Sequence, residues 1–183
     1  MRRAVPFAIL LAACASDRPV HPMRLEGFPG APIEPGLFPL ANGTRWTFSD
    51  AEGKTLTLAV NERDGAFVLT GQTEGEAEIR IRDGFLEILY QGQVLDRPLK
   101  MEGAAGDRWE AAGATYTVFG YDEIEVLGRK TRALVVAADR KVQRDLYWFA
   151  KDLGWVRLRT ERTGATLRDA RLVAFEGGGR PPG

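Results

Sequence analysis

The sequence is poor in the residues that most enzymes use as nucleophiles, bases and metal ligands. Its 183 residues hold one cysteine and one histidine, and serine occurs only at Ser16 and Ser49. A serine–histidine–acid device needs all three groups on one rigid frame, and the single histidine, His21, falls in a stretch full of proline. A zinc site of the usual kind needs three or four histidine or cysteine ligands. With one cysteine, no disulfide can form within the chain. Neither sign of charge dominates, with 25 basic and 25 acidic residues, so there is no electrostatic reason to expect nucleic acid as a partner. Beyond the first residues, no long stretch carries apolar side chains at helical spacing. The composition leads to the expectation of a non-enzymatic protein with no cofactor and no metal.

What is present begins at the N-terminus. Met1-Arg2-Arg3 is a short positive region, and the apolar run Ala4 to Ala13 follows it, broken by Pro6. This is the layout of a secretory signal. It is too short for a permanent membrane helix, which needs about 20 apolar residues. The run ends Leu11-Ala12-Ala13-Cys14, which resembles the bacterial lipobox: an aliphatic residue, two small residues, then cysteine. The resemblance implies diacylglycerol on the Cys14 sulfur, cleavage before Cys14 and acylation of the new amine. Several acyl chains hold a protein on a membrane where one is marginal. The expected partner is therefore the membrane, reached through lipid on Cys14. Ala15 follows the cysteine where an inner-membrane retention signal would place aspartate. The expected address is the cell envelope, with the outer membrane, facing the periplasm, favoured over the inner.

Residues 1–13 thus read as signal peptide and 14–37 as the lipidated cysteine with a tether. Pro19, Pro22, Pro29, Pro32 and Pro35 block helix and sheet ladders alike. Stretched out at about 3.1 Å per residue, the tether would reach about 70 Å. The alternative is a folded arm, since Phe28, Ile33, Leu37 and Phe38 could pack on the domain. Residues 38–176 read as one domain, and 177–183, with Gly177-Gly178-Gly179, as a flexible tail.

From Thr44 the period is two. Trp46 and Phe48 alternate with Arg45 and Thr47; Leu56, Leu58 and Val60 with Thr55, Thr57 and Ala59; and Ala77, Ile79 and Ile81 with Glu78, Arg80 and Arg82. Such alternation marks strands with one buried face. Ala51-Glu52-Gly53, Arg63-Asp64-Gly65, Thr73-Glu74-Gly75 and Arg82-Asp83-Gly84 are turn signals between them. Met101 to Gly113 reads as a long loop or a bent connection, and Ala137 to Leu146 could form one helical turn. The expected fold is all-β: an antiparallel meander of about nine to eleven strands forming a curved sheet, open barrel or sandwich.

Phe38-Pro39-Leu40, then Gly43, Trp46 and Phe48, together with Tyr147-Trp148-Phe149-Ala150, Gly154 and Val156, are similar to the opening and closing blocks of a little-characterised group of bacterial envelope lipoproteins. The resemblance spans most of residues 37–175. It implies a β-rich envelope domain and supplies no catalytic residues.

Three clusters remain as candidate sites. Glu123 and Glu125 share a strand face and could hold calcium or act on a glycosidic bond, or simply face water. Arg157, Arg159, Arg162, Arg168 and Arg171 could meet phosphates or anionic glycans, or pair with the interleaved Glu161, Asp169 and Glu176. The aromatic residues Trp109, Tyr121, Tyr147, Trp148, Phe149 and Trp155 are either core or the lining of a pocket. The function expected is a binding or scaffold module for an envelope protein, a glycan or a lipid. The alternative is a carrier of a lipid or other apolar ligand in the concave face of the sheet.

Overall fold

The computed structural model describes residues 30–71, 76–163 and 165–178. The signal peptide, Cys14 and the tether up to residue 29 lie outside the described residues, as do 179–183. Twelve strands follow in order: β1 (Arg45–Ser49), β2 (Thr55–Arg63), β3 (Ala66–Thr70), β4 (Ala77–Arg82), β5 (Phe85–Tyr90), β6 (Gln93–Lys100), β7 (Arg108–Ala111), β8 (Ala114–Val126), β9 (Arg129–Asp139), β10 (Arg144–Ala150), β11 (Gly154–Arg162) and β12 (Ala165–Glu176). There is no helix among the described residues. Every ladder is antiparallel, and the sheet runs β6-β5-β4-β3-β2-β1-β12-β11-β10-β9-β8-β7. It is a nearly closed, barrel-like meander in which the last strand returns to the first.

The alternating runs form the strands because they bury one face. On β1, Trp46 and Phe48 are fully buried while Arg45 is exposed. The hairpin signals act through backbone conformation. Asp64-Gly65, Asp83-Gly84, Gln91-Gly92, Ala112-Gly113 and Leu127-Gly128 each place two successive residues at positive φ. That is the primed turn whose twist matches paired strands. Thr73-Glu74-Gly75 lies outside the described residues.

Two expectations are corrected. The strands number twelve, above the nine to eleven expected, because the segment read as a loop contains β7, paired with β8 through Trp109↔Tyr116, and because β6 forms in spite of Pro98. Proline is tolerated there because β6 is an edge strand. The stretch Ala137 to Leu146 has no helical turn; it is the end of β9, a tight turn closed by the Arg140 amide on the Gln143 carbonyl (2.8 Å), and the start of β10.

No backbone ladder joins the edges β6 and β7. Side chains close the gap: the Trp109 indole donates to the Arg97 carbonyl (3.0 Å), and the Tyr116 hydroxyl on β8 donates to Asp96.

Residues 30–37 are not a free spacer. They form the arm that was the alternative reading. Pro32 bridges Ala104, the Ile33 amide donates to the Gly103 carbonyl (2.8 Å) and the Asp152 amide donates to the Gly36 carbonyl (2.9 Å). Leu37 and Phe38 are buried, and the Phe38 ring lies 4.7 Å from Trp155 and 5.3 Å from Trp46. The arm thus enters one end of the sheet and completes an aromatic core of Phe38, Trp46, Phe149 and Trp155. At the other terminus, the Gly178 amide donates to Thr44 Oγ1 (3.2 Å), so the tail is held on the fold up to that residue.

Candidate functional site

The ladders bring an unexpected set of polar groups together on the buried face. Residues opposite each other across a ladder point to the same side. Tyr116 pairs with Ala138, Ala138 with Asp145, Asp145 with Thr160 and Thr160 with Arg168. One row therefore crosses five strands and carries Tyr116, Asp145, Thr160 and Arg168. The next row carries Tyr147, Leu158 and Ala170. Across the seam, β6 contributes Asp96.

Asp96 is the centre of this cluster. It accepts from the Tyr116 hydroxyl, the Tyr147 hydroxyl (2.8 Å), Arg140 Nη2 (3.4 Å) and the Arg97 amide (3.0 Å). Burial raises its carboxyl above the ordinary range, and the pull of Tyr116, Arg140 and Tyr147 offsets this only in part. Burial also raises both phenols, and the adjacent Asp96 charge adds to the effect. Burial works against the Arg140 charge, but Asp96, the two tyrosines and Asp145 outweigh it and hold the guanidinium protonated. Asp145 is likewise saturated, by Arg140 Nε (3.2 Å), Gln143 Nε2 (2.8 Å) and Thr160 Oγ1 (2.9 Å). The two carboxylates are thus held in donor cages and share the Arg140 guanidinium between them.

The six candidate aromatic residues do not form one pocket. Phe149 and Trp155 join the core with Phe38 and Trp46. Tyr121 faces the arm, where its hydroxyl accepts from the Glu34 amide (2.8 Å) and donates to the Pro32 carbonyl (3.2 Å). Tyr147 belongs to the Asp96 cluster, and Trp109 stacks on Tyr116 at the seam with centroids 5.2 Å apart. Trp148 points to the opposite face of β10. There its indole donates to Asp122 Oδ2 (2.9 Å), and the Arg157 guanidinium lies over its ring at 4.7 Å.

Glu123 and Glu125 stay on one face of β8, opposite Arg132 and Lys130. Glu123 is exposed and pairs with Lys130 at 3.2 Å, while Glu125 lines a shallow outer cleft of about 130 Å³ with Ile124, Val156, Arg157 and Arg171. Among the described residues, no group of three or more histidine, cysteine, aspartate or glutamate side chains could hold a metal. Of the basic cluster, Arg157 is held by Asp169 (Nε to Oδ1, 2.6 Å) and Arg159 by Glu161 (3.1 Å) and Thr166 (2.8 Å). Arg168 stands apart, on the buried face.

Asp96, Arg140 and Asp145 were missed by reading the sequence. A weak signal existed for one of them. Asp145 falls in the same strand phase as Tyr147 and Phe149, and a charge in the apolar phase of a strand marks a buried network. Asp96 gave no such signal, because its partners come from across a seam that only the closed sheet creates.

No protein-family profile matches the sequence. No curated protein matches it. Several solved structures are similar in fold, two of which follow. One is a candidate lipoprotein from Parabacteroides distasonis, 11% identical, with 78% of this chain and 99% of that chain covered at a TM-score of 0.43. The other is a candidate exported protein with a YmcC-like fold from Bacteroides fragilis, 13% identical, with 76% and 98% covered at a TM-score of 0.41.

Proposed function

We propose that this chain is a bacterial envelope lipoprotein, anchored by lipid on Cys14, whose β domain is a non-enzymatic binding or scaffold module. The observation that carries the reading is the run Leu11-Ala12-Ala13-Cys14, placed after a positive start and a short apolar stretch. Ala15 favours the outer membrane as the address. The domain supports the reading through its chemistry: the buried acids are caged by donors, and Glu123 is exposed and paired with Lys130. A carrier holding an acyl chain in the concave face would need a cavity of roughly 300–1,000 Å³. The middle of that face is filled instead, with Trp46, Phe48, Leu134, Val136 and Phe149 fully buried.

Intact-mass analysis of the protein made in a bacterial host tests the anchor. The expected mass is that of a chain beginning at Cys14 with diacylglycerol and a further acyl chain, and Cys14→Ser should abolish the addition. A chain cut elsewhere, or one with an unmodified Cys14, would overturn the proposal. In-cell crosslinking of the lipidated protein then identifies the envelope protein or glycan that the module holds.

A further inference from the structure

Arg168 is the one basic side chain of the buried row that the fold does not use. It lies on β12 opposite Thr160, half-buried, beside the Asp145–Thr160 pair. Its guanidinium makes no hydrogen bond or ion pair among the described residues. Burial lowers its pKa, and Asp50 offsets this only through its charge at a distance. Asp50 itself is committed to its own turn, where Oδ1 accepts from the Glu52 and Lys54 amides, both at 2.9 Å. The neighbouring carboxylates are saturated: Asp145 has three side-chain donors, and Asp96 is sealed by two tyrosines and Arg140. A half-buried guanidinium without a protein acceptor keeps donors free for charge-assisted bonds to a ligand.

The position suits a ligand. Arg168 is near the start of β12, at the end of the sheet that carries the β1–β2, β9–β10 and β11–β12 turns. The arm enters near the β10–β11 turn and the β6–β7 connection, at the other end. Half-buried Leu158 and Tyr147 form the row beneath, an apolar floor next to a cationic fork. Thr160 gives its proton to Asp145, so Arg168 is the donor of this row left for an incoming anion.

We propose that Arg168 anchors a binding site for a small anionic ligand, which presents one carboxylate or phosphate to the guanidinium and rests its less polar part on Leu158 and Tyr147. A planar guanidinium binds such groups through two parallel hydrogen bonds. This inference rests on the reading of the domain as a binding module and supplies the ligand class. It stands apart from the lipid anchor, so the two can fail separately: intact mass reports on Cys14, and titration reports on Arg168.

The test is side-chain ¹⁵N NMR of the arginine Nε–Hε groups in the full chain, purified in detergent, with the Arg168 signal assigned by R168K. Inorganic phosphate and glucuronate are titrated separately at constant ionic strength. A saturable shift of the Arg168 signal is expected with at least one of them. Followed through the backbone amide shifts of β11 and β12, which all variants share, R168Q should weaken binding about tenfold or more, and R168K by less, because an ammonium keeps the charge but loses the fork. D50N, which removes the nearby negative charge, should tighten it. Saturation by phosphate alone assigns a phosphorylated ligand, and by glucuronate alone an acidic sugar. Linear shifts with both anions, or saturation unchanged in R168Q while its circular dichroism matches that of the parent, would overturn the site.

Discussion

Tyr147 on β10 and Asp96 on β6 are joined by a 2.8 Å hydrogen bond although 51 residues separate them in the chain. The bond spans the interior of the sheet and ties its two halves, β1–β6 and β7–β12, on the side where no backbone ladder does so. Removing the hydroxyl leaves a buried carboxylate short of one donor. Tyr147→Phe is therefore expected to cost about 1–3 kcal/mol, read as a lower midpoint in urea unfolding. An unchanged midpoint would mean that the seam is held by Tyr116 and Trp109 alone.

Trp46 and Trp155 pack against each other with centroids 5.6 Å apart, but their indole N–H groups differ. Trp46 Nε1 donates to the Leu153 carbonyl, whereas the buried Trp155 Nε1 has no partner among the described residues. Both Trp→Phe changes remove similar ring volume. Only Trp46→Phe also strands a buried acceptor, so it should be the costlier of the two by about 1–2 kcal/mol. Equal losses in thermal unfolding would count against this difference.

Gly154, at φ +75°, lies under Trp46, and an added Cβ would sit 3.1 Å from the ring and 3.2 Å from Pro39 Cδ. Gly154→Ala combines a left-handed backbone with crowding in the core, and a loss of about 1–3 kcal/mol is expected. Gly65→Ala is the control: its φ is +77° but nothing lies within 4 Å, so it should show the backbone part alone. Equal effects at both sites would remove the packing argument.

The arm should be part of the folding unit. Leu37 is 2% exposed, and Leu37→Ala is expected to cost about 2–5 kcal/mol. Hydrogen exchange should quicken at the Ile33, Ala105 and Asp152 amides, which donate within the arm contacts. If exchange at these three amides were already fast in the parent protein, the arm would be dispensable.

Glu87 is buried between Arg80 Nε (2.9 Å) and Arg97 Nε (2.8 Å). Burial raises its pKa, but the bonds and charges of the two arginines together outweigh that and set it below the ordinary 4.5. For a carboxyl with a depressed folded pKa, the stabilisation is present above the unfolded value and is lost as pH falls through the folded value. Stability should therefore decline from about pH 4.5 downward, and Glu87→Gln should flatten that part of the curve. A Glu87→Gln profile parallel to the parent's would remove Glu87 as a cause.

Some of this architecture was legible from local pattern. The two-residue period of β1, β2 and β4 names the buried face, and Asp64-Gly65 and Asp83-Gly84 name their turns, because side-chain alternation and positive φ are properties of a few adjacent residues. The strand containing Pro98 and the short β7 were not legible, because an edge strand carries little of that pattern.

The aromatic candidates show the same division. The sequence marks Tyr147, Trp148 and Phe149 as a strand with bulk on both faces. It does not reveal that Tyr147 meets Asp96, Trp148 meets Asp122 and Phe149 meets Phe38, since those partners come from distant strands and from the arm. The sequence by itself determined the all-β class and the choice of buried faces, and it carries the lipobox-like run. Only the tertiary structure decided that the sheet closes through side chains, that residues 30–37 dock, and that Arg168 has no hydrogen-bond or ion-pair partner among the described residues, because each depends on which strands lie opposite one another once the chain has returned from β12 to β1.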